Sequence, residues 1–380
     1  MRPSLLALPI ALIAGSSTLA HAQTPAADPF TRTVVADFDS PWAMTFLPDG
    51  RLLVTEKRGK MLLVSADGKT QASVTGVPAV DSAGQGALMD VVLAPGFGTN
   101  KQVYFSYSSA GPGGKGVVLA RGRFNETKVN CVQAPCPNPV ALDGVETLFT
   151  ARPFVEGNGH YSGRIAFSPD GKYLFFTNGE RQKFTPAQDP KATLGKVLRL
   201  TLDGKPAPGN PLASKGFAPE VWSYGHRNLL GIAFDGAGNL WEQEMGPKGG
   251  DEVNLIKPGL NYGWPNASNG SHYDGRDIPD HQPGDGYEAP KASWNPVISP
   301  GGLMIYSGAL FPQWKGDAFI GGLSSQSLVR VDLDGTAATK GDQWAMGARI
   351  REVEQGPDGA IWVLEDGGDS QGRLIKLTAK

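Results

Sequence analysis

One phrase recurs along this chain and limits what it can fold into: a short hydrophobic strand, a turn containing Asp-Gly, then a second strand that closes on an acidic residue. It reads MTFLPDGRLLVTE at 44–56, IAFSPDGKYLFFTNGE at 165–180, IAFDGAGNLWEQE at 232–244 and VEQGPDGAIWVLED at 353–366, with a weaker copy, GDAFIGGLSSQSLVRVDLDG, at 316–335. A lone hairpin is marginal in water because it cannot bury its apolar face. Such units, repeated every several tens of residues, point to the blades of a β-propeller, each a small antiparallel sheet. The competing architecture is a β-sandwich with coincidental hairpins, which rarely repeats one hairpin with the same turn and the same exit residue.

The chain between the copies agrees with an all-β fold. Glycine (51) and proline (30) exceed average usage in the 380 residues, so tight turns are many. Runs such as KMLLVS, QVYFSYS, VLRLTLDG and RLIKLT read as strands, and capped helical periodicity is nearly absent. Two segments, 128–139 and 266–291, are rich in Pro, Gly, Asp and Asn. Loops this long are uncommon unless functional, so both are expected to wall a cleft.

Residues 1–22 carry an early Arg2, an apolar run LLALPIALIAG and a final Ala20-His21-Ala22, the pattern of a secretory signal. The expected product is periplasmic or secreted, with 23–380 as a single domain. The apolar run falls short of the ~20 residues that a membrane span needs, and no later stretch supplies them. In an exported chain the two cysteines, Cys131 and Cys136, favour a local disulfide. Metal binding by that pair is the weaker alternative, since no further Cys or His stands nearby. The net charge of −2, from 35 basic and 37 acidic residues with no basic tract, argues against a nucleic-acid partner.

The stretch 224–265, YGHRNLLGIAFDGAGNLWEQEMGPKGGDEVNLIKPGLNYGWP, concentrates chemically capable groups. Tyr224-Gly225-His226-Arg227-Asn228 offers an imidazole, a guanidinium and an amide beside a glycine, where a backbone can approach a ligand closely. Glu244-Met245-Gly246-Pro247 ends in a turn whose carbonyls suit a hard cation. Upstream lie Gly84-Gln85-Gly86 and Gly159-His160-Tyr161-Ser162-Gly163-Arg164; downstream lies Arg349-Ile350-Arg351. Singly, each has an ordinary reading, as turn, surface pair or solvated face. Of the histidines, His272 and His281 sit in a hydrophilic loop and read as solvated. His226 reads as a structural group in the turn that presents Arg227.

Taken together and in this order, from about Phe38 to Leu377, the motifs resemble the soluble pyrroloquinoline quinone (PQQ) dependent aldose sugar dehydrogenases, relatives of soluble glucose dehydrogenase. The resemblance implies a six-bladed β-propeller that oxidises aldoses to lactones, with PQQ in a polar cleft over calcium. It makes His160 the catalytic base and Arg227 a catalytic group at the cofactor's reacting carbonyl. Asn228, Arg349, Arg351 and Ser324 would contact the cofactor. The carbonyls of Gly246 and Pro247 would hold one calcium ion, and Glu252 with the Tyr262 backbone a second. Gln85 would contact sugar hydroxyls. Trp294 has two readings from its residue type alone, a ring that helps to line the cleft, since aromatic faces pack well on sugar rings, or an ordinary core tryptophan.

Three positions depart from the family pattern. Ser324 stands where a lysine commonly pairs with the cofactor. Met245 and Gly159 stand where the glucose dehydrogenase branch has glutamine and aspartate, and the second change leaves His160 without that carboxylate to orient it. The alternatives are a calcium-dependent propeller lactonase and a propeller that binds sugar or protein without catalysis. Neither accounts for the arginines.

Overall fold

The computed structural model describes residues 28–127, 139–368 and 371–380. The N-terminal signal, and Cys131 and Cys136 with nearly all of the loop that carries them, lie outside the described residues. The regular structure of the rest is almost entirely strand, in antiparallel runs of four. The first run comprises Pro41–Phe46, Leu52–Glu56, Lys60–Val64 and Gln71–Thr75. Later runs open at Leu88–Leu93, Ser162–Phe167, Leu229–Phe234, Pro300–Ile305 and Ile350–Gln355. The first two runs join into one eight-stranded sheet by a short parallel pairing, Val74 with Val140 and Thr75 with Ala141.

The opening strands touch one another in chain order, and Ile350–Gln355 returns to Pro41–Phe46, so they close a ring. The last run is completed by the other end of the chain: Phe30–Asp39 pairs along Gln371–Ala379, from Phe30 against Ala379 to Asp39 against Gln371. The architecture is therefore all-β and propeller-like. Such radial repetition leaves only short strand edges, protected by the neighbouring runs.

The recurring phrase is the first hairpin of its run in all four strong copies, with Phe46 opposite Leu52, Phe167 opposite Leu174, Phe234 opposite Leu240 and Gln355 opposite Ile361. The turn glycines Gly50, Gly171, Gly238 and Gly359 all have positive φ, between 69° and 86°, which only glycine adopts freely. The weaker copy is different. Its strands, Ala318–Gly322 and Ser327–Asp334, are the second and third of their run.

Second strands such as Leu52–Glu56 and Ile361–Glu365 are buried along their whole length, because each sheet is covered on both faces by its neighbours. Edge-to-face rings seal those contacts, Phe175 against Phe234 at 5.3 Å and Phe46 against Trp362 at 5.4 Å. Every opening strand also breaks register near its start, between Pro41 and Ala43, Leu88 and Val91, Ser162 and Ile165, Leu229 and Gly231, Pro300 and Leu303, and Ile350 and Glu352. Such bulges bend a strand and re-aim side chains, here at one end of the ring.

Candidate active site

That end of the ring is built by one repeated contact. The residue just past a second strand donates its N–H to the carbonyl just before the opening strand: Lys57 to Ser40 (2.9 Å), Met245 to Asn228 (3.1 Å), Leu323 to Ser299 (2.9 Å) and Asp366 to Arg349 (2.7 Å). All eight residues line one cleft of about 370 Å³. The blade repeat thus places a site layer, and the identity of the residue at each equivalent position supplies the chemistry.

The cleft is cationic. Arg349 and Arg351 both donate to Oδ2 of Asp366, at 3.1 and 2.8 Å. They do so although Arg349 precedes the strand and a register shift separates Ile350 from Glu352. Burial acts to raise the Asp366 carboxyl, but the charges of Arg351 and Arg349 hold it below the usual carboxylate range. Lys57 lines the same cleft, so three cations face one carboxylate. Trp42 lies beside them, its ring 6.0 Å from the Arg351 guanidinium and 4.2 Å from that of Arg164. Arg164 is itself buried and bonded to Asp90 and Glu352, which makes the wall rigid.

Ser324 does not join this layer. It is exposed, its hydroxyl reaches the Val297 carbonyl at 3.5 Å, and its neighbour Leu323 lines the cleft instead. Lys57, from the first run, supplies an ammonium to the cleft that the Ser324 position lacks. Gln85 and Asn228 do line the cleft. The Gln85 side-chain oxygen is engaged by the backbone N–H of His160 at 2.7 Å, so this amide positions the histidine.

A second space of about 300 Å³ adjoins the cleft and holds His160, Arg227 and Pro247. Consecutive residues divide between the two: His160 and Arg227 face this chamber, Tyr161 and Asn228 the cleft. His160 is 5% exposed with φ 47°, and its Nδ1 is bonded to the Glu180 carboxylate. Burial lowers the imidazole's affinity for a proton, the bond to Glu180 opposes that, and the Arg227 charge adds to it; the net shift is downward. Glu180 is ionised: burial would raise it, but the His160 bond and the Phe184 N–H hold it down. Nδ1 therefore carries the proton and donates to Glu180, leaving the Nε2 lone pair free to accept one.

Glu180, bonded to His160 Nδ1, stands in for the carboxylate absent at Gly159. A Cβ at Gly159 would lie 2.4 Å from the Gln182 side chain, so the room for an aspartate is already filled. In the sequence Glu180 is visible only as the acid that ends a repeated hairpin. Lys57 and Asp366 have the same signal, sitting one residue past such an acid, and that signal is indistinguishable from a fold repeat.

Arg227 is also buried. Its Nη1 donates to the carbonyls of Met245 (2.9 Å) and Gly246 (2.7 Å), its Nη2 to the Tyr273 hydroxyl (3.2 Å), and its guanidinium lies 5.1 Å from the Trp264 ring. The Gly246 carbonyl can serve a cation only by sharing its oxygen with this guanidinium. Beside it, a small cavity of about 10 Å³, room for one water-sized occupant, is lined by Glu244, Gly246, Glu252 and Tyr262 among others. Asn254 donates to Glu242, Glu244 and Glu252 together, at 3.2 to 3.4 Å. Burial and the neighbouring Glu244 charge push both Glu242 and Glu252 well above the normal carboxylate range. His226, Glu242 and Glu244 also present ligand atoms within 4.8 Å of one another. Three crowded, buried carboxyl groups fit a hard divalent cation.

Two expectations are corrected. Trp294 is 7% exposed and packs in the core with Trp241, Val253 and Ile298, while Trp42 and Trp264 are the tryptophans that line the site. His281 is not solvated: its side chain is 4% exposed, 4.0 Å from Glu252 and 3.7 Å from Asp285. His226 is wholly buried, bonded to Ser223 (2.9 Å) and Glu244 (3.1 Å) and stacked on Tyr262. The segment 266–291 walls the chamber through His272, Tyr273, Asp274 and Arg276.

Among the described residues no helix is long and apolar enough to cross a membrane. The chain is 37% identical over 352 residues to the aldose sugar dehydrogenase YliI of Escherichia coli (strain K12), covering 90% of this chain and 91% of that one. Its structure is similar to that of the soluble aldose sugar dehydrogenase of Escherichia coli in the apo-form, with TM-score 0.83, 35% identity and coverage of 92% and 100%. It is also similar to the PQQ-bound form of aldose sugar dehydrogenase from Streptomyces coelicolor, with TM-score 0.73, 30% identity and coverage of 93% and 100%. Residues 38–376 match the model of the Glucose / Sorbosone dehydrogenase family, and the chain belongs to that family.

Proposed function

We propose that this chain is a PQQ- and calcium-dependent aldose dehydrogenase, an exported single domain with a six-bladed propeller, which oxidises aldoses at the anomeric carbon to lactones. The observation that carries the reading is the His160–Glu180 pair, a neutral imidazole held with Nε2 open to a chamber beside a cleft lined by Lys57, Arg349 and Arg351. A propeller that only binds sugar has no use for that pair. The names of the Escherichia coli and Streptomyces coelicolor relatives support the same reading.

PQQ bound in the cleft would supply the two-electron acceptor for the anomeric hydride. Arg349, Arg351 and Lys57 would hold its carboxylates, with Asp366 keeping the two guanidinium groups aimed. His160 takes the anomeric hydroxyl proton on Nε2, and Glu180 stabilises the resulting imidazolium. Gln85 fixes the His160 backbone. Arg227, beside His160 in the chamber, would place positive charge where negative charge develops. Glu252 with the Tyr262 carbonyl would hold one calcium ion, and the Gly246 and Pro247 carbonyls another beside Arg227.

The test is reconstitution. Purified protein given PQQ and calcium reduces an artificial dye with glucose, and deuterium at the anomeric carbon slows single-turnover reduction. Protein that binds PQQ by calorimetry yet oxidises no aldose overturns the reading.

A further inference from the structure

Arg181 is a buried guanidinium to which no carboxylate is bonded. It is 1% exposed, its Nη2 donates to the Gly157 carbonyl at 2.7 Å, and its Nε and Nη1 meet no acceptor. The carboxylates of Glu180 and Asp81 act on it through space only, because both are held by other groups. Lys115 takes Asp81 at 2.9 Å, and Glu180 is bonded to His160 and to the N–H groups of Lys183 and Phe184. Burying a charge without a partner is costly. The backbone adds to that cost, with φ of 62° at Arg181 and 59° at Gln182, a region that long side chains avoid.

The charge sits directly behind the wall of the site. The Arg181 guanidinium lies 3.5 Å from the centre of the Tyr161 ring, a cation–π contact, and Tyr161 lines the cleft while the preceding His160 lines the chamber. Its field reaches the site, since the Arg181 charge is one of the causes that lower the proton affinity of His160. The arginines that line or back the cleft on its other side differ: Arg349 and Arg351 share Asp366, and Arg164 is bonded to Asp90 and Glu352. A carboxylate at contact cancels most of a cation's field, so the unpaired Arg181 acts further than its distance from the cleft suggests. Burial keeps that field from being screened by salt.

We propose that Arg181, from behind Tyr161, biases the site toward the reduced cofactor by stabilising the negative charge that enters the cleft with the hydride. The proposal rests on the PQQ-dependent dehydrogenase reading. In that reaction the anomeric C–H bond breaks and its electron pair passes with the hydrogen to PQQ, the hydroxyl O–H bond breaks and its proton passes to Nε2 of His160, and the lactone C=O forms. The sugar loses two electrons and the cofactor gains them, so the cleft gains one negative charge while the proton remains in the chamber. A fixed, unpaired cation favours that distribution without reorganising.

The experiment needs no sugar. Calcium-loaded protein is titrated anaerobically, at one pH and ionic strength, with oxidised PQQ and with chemically reduced PQQ, for wild type, Arg181→Met, Arg181→Gln and Arg181→Lys. The readout is the ratio of the two Kd values, which cancels general damage to the site and equals a shift in the midpoint potential of bound PQQ. Either neutral variant should lose about tenfold of the preference for the reduced form, a fall of about 30 mV for a two-electron couple. Arg181→Lys should stay near wild type, because the charge remains when the planar group is lost. Two neutral variants allow for one that fails to fold. A wild-type ratio in a neutral variant that binds PQQ overturns the proposal, and so does an equal fall in Arg181→Lys, which would assign the effect to shape. Wild type that binds neither form of PQQ overturns the dehydrogenase reading and this proposal with it, whereas binding with an unaltered ratio overturns the proposal alone.

Discussion

The Glu180 carboxylate bonds Nδ1 of His160 through one oxygen and the backbone N–H groups of Lys183 and Phe184 through the other. A single side chain therefore sets the tautomer of the base and the path of the loop beside it. Glu180→Gln keeps the shape but loses the charge that stabilises an imidazolium, so kcat should fall roughly 10²-fold. PQQ affinity, measured by fluorescence titration, should be unchanged, since Glu180 does not line the cleft.

The pH profile follows from the causes acting on His160. Burial and Arg227 lower its proton affinity, Glu180 raises it, and the net shift is downward from the usual imidazole value. The base works when neutral, so the acid limb of kcat/KM should lie below about pH 6.5. Arg227→Met removes a lowering charge and should move the limb to higher pH, whereas Glu180→Gln should move it lower. Limbs at the same pH in all three proteins would show that His160 is not the titrating base.

Glu242 and Glu252 predict how stability depends on pH and on calcium. Both have folded values raised above the unfolded one, so the fold favours their neutral forms. Their penalty is absent below about pH 4, the ordinary range for glutamate, and grows as pH rises through the window up to the folded values. In chelator, Tm should decline as pH rises from 4.5 to 7, as far as these groups contribute. Calcium should raise Tm more at pH 7 than at pH 5, because it binds the ionised carboxylates. Glu252→Gln should shrink that calcium effect in differential scanning fluorimetry.

Arg351 and Lys57 reach the cleft from the two runs that close the ring. Arg351→Ala should cost PQQ binding about 1.5–3 kcal/mol, the range for a hydrogen bond to a charged group. Lys57→Met should weaken it less, the ammonium being a point charge without the bidentate fork. Equilibrium titration at fixed ionic strength measures both. Equal PQQ affinity in wild type and Arg351→Ala would assign that arginine to holding Asp366 alone.

Trp294→Ala should act on the fold and not on the sugar. The indole is buried among Trp241, Val253 and Ile298, so its removal should cost about 3–5 kcal/mol in denaturant unfolding. The KM for aldoses should stay near wild type in the protein that remains folded.

The sequence by itself determined the repeat. Turn glycines, strand pattern and a closing acid recur because four of the runs make the same first hairpin, and local backbone preference writes that rule into each of those copies. It also displayed His160, Arg227, Asn228, Arg349 and Arg351, since unusual residue types beside glycines stand out from a strand pattern. It could not rank Trp294 against Trp42, because both are tryptophans in strands and only the stacking of sheets says which faces the axis. It hid Glu180, Lys57 and Asp366 for a related reason: each sits at the end of a repeated hairpin, where an acid or its neighbour reads as part of the fold. Ring closure decides their role. It brings the ends of second strands from distant parts of the chain around one cleft, so Lys57 faces Arg349 and Arg351 across about 290 residues of sequence, a non-local encounter that no local pattern encodes.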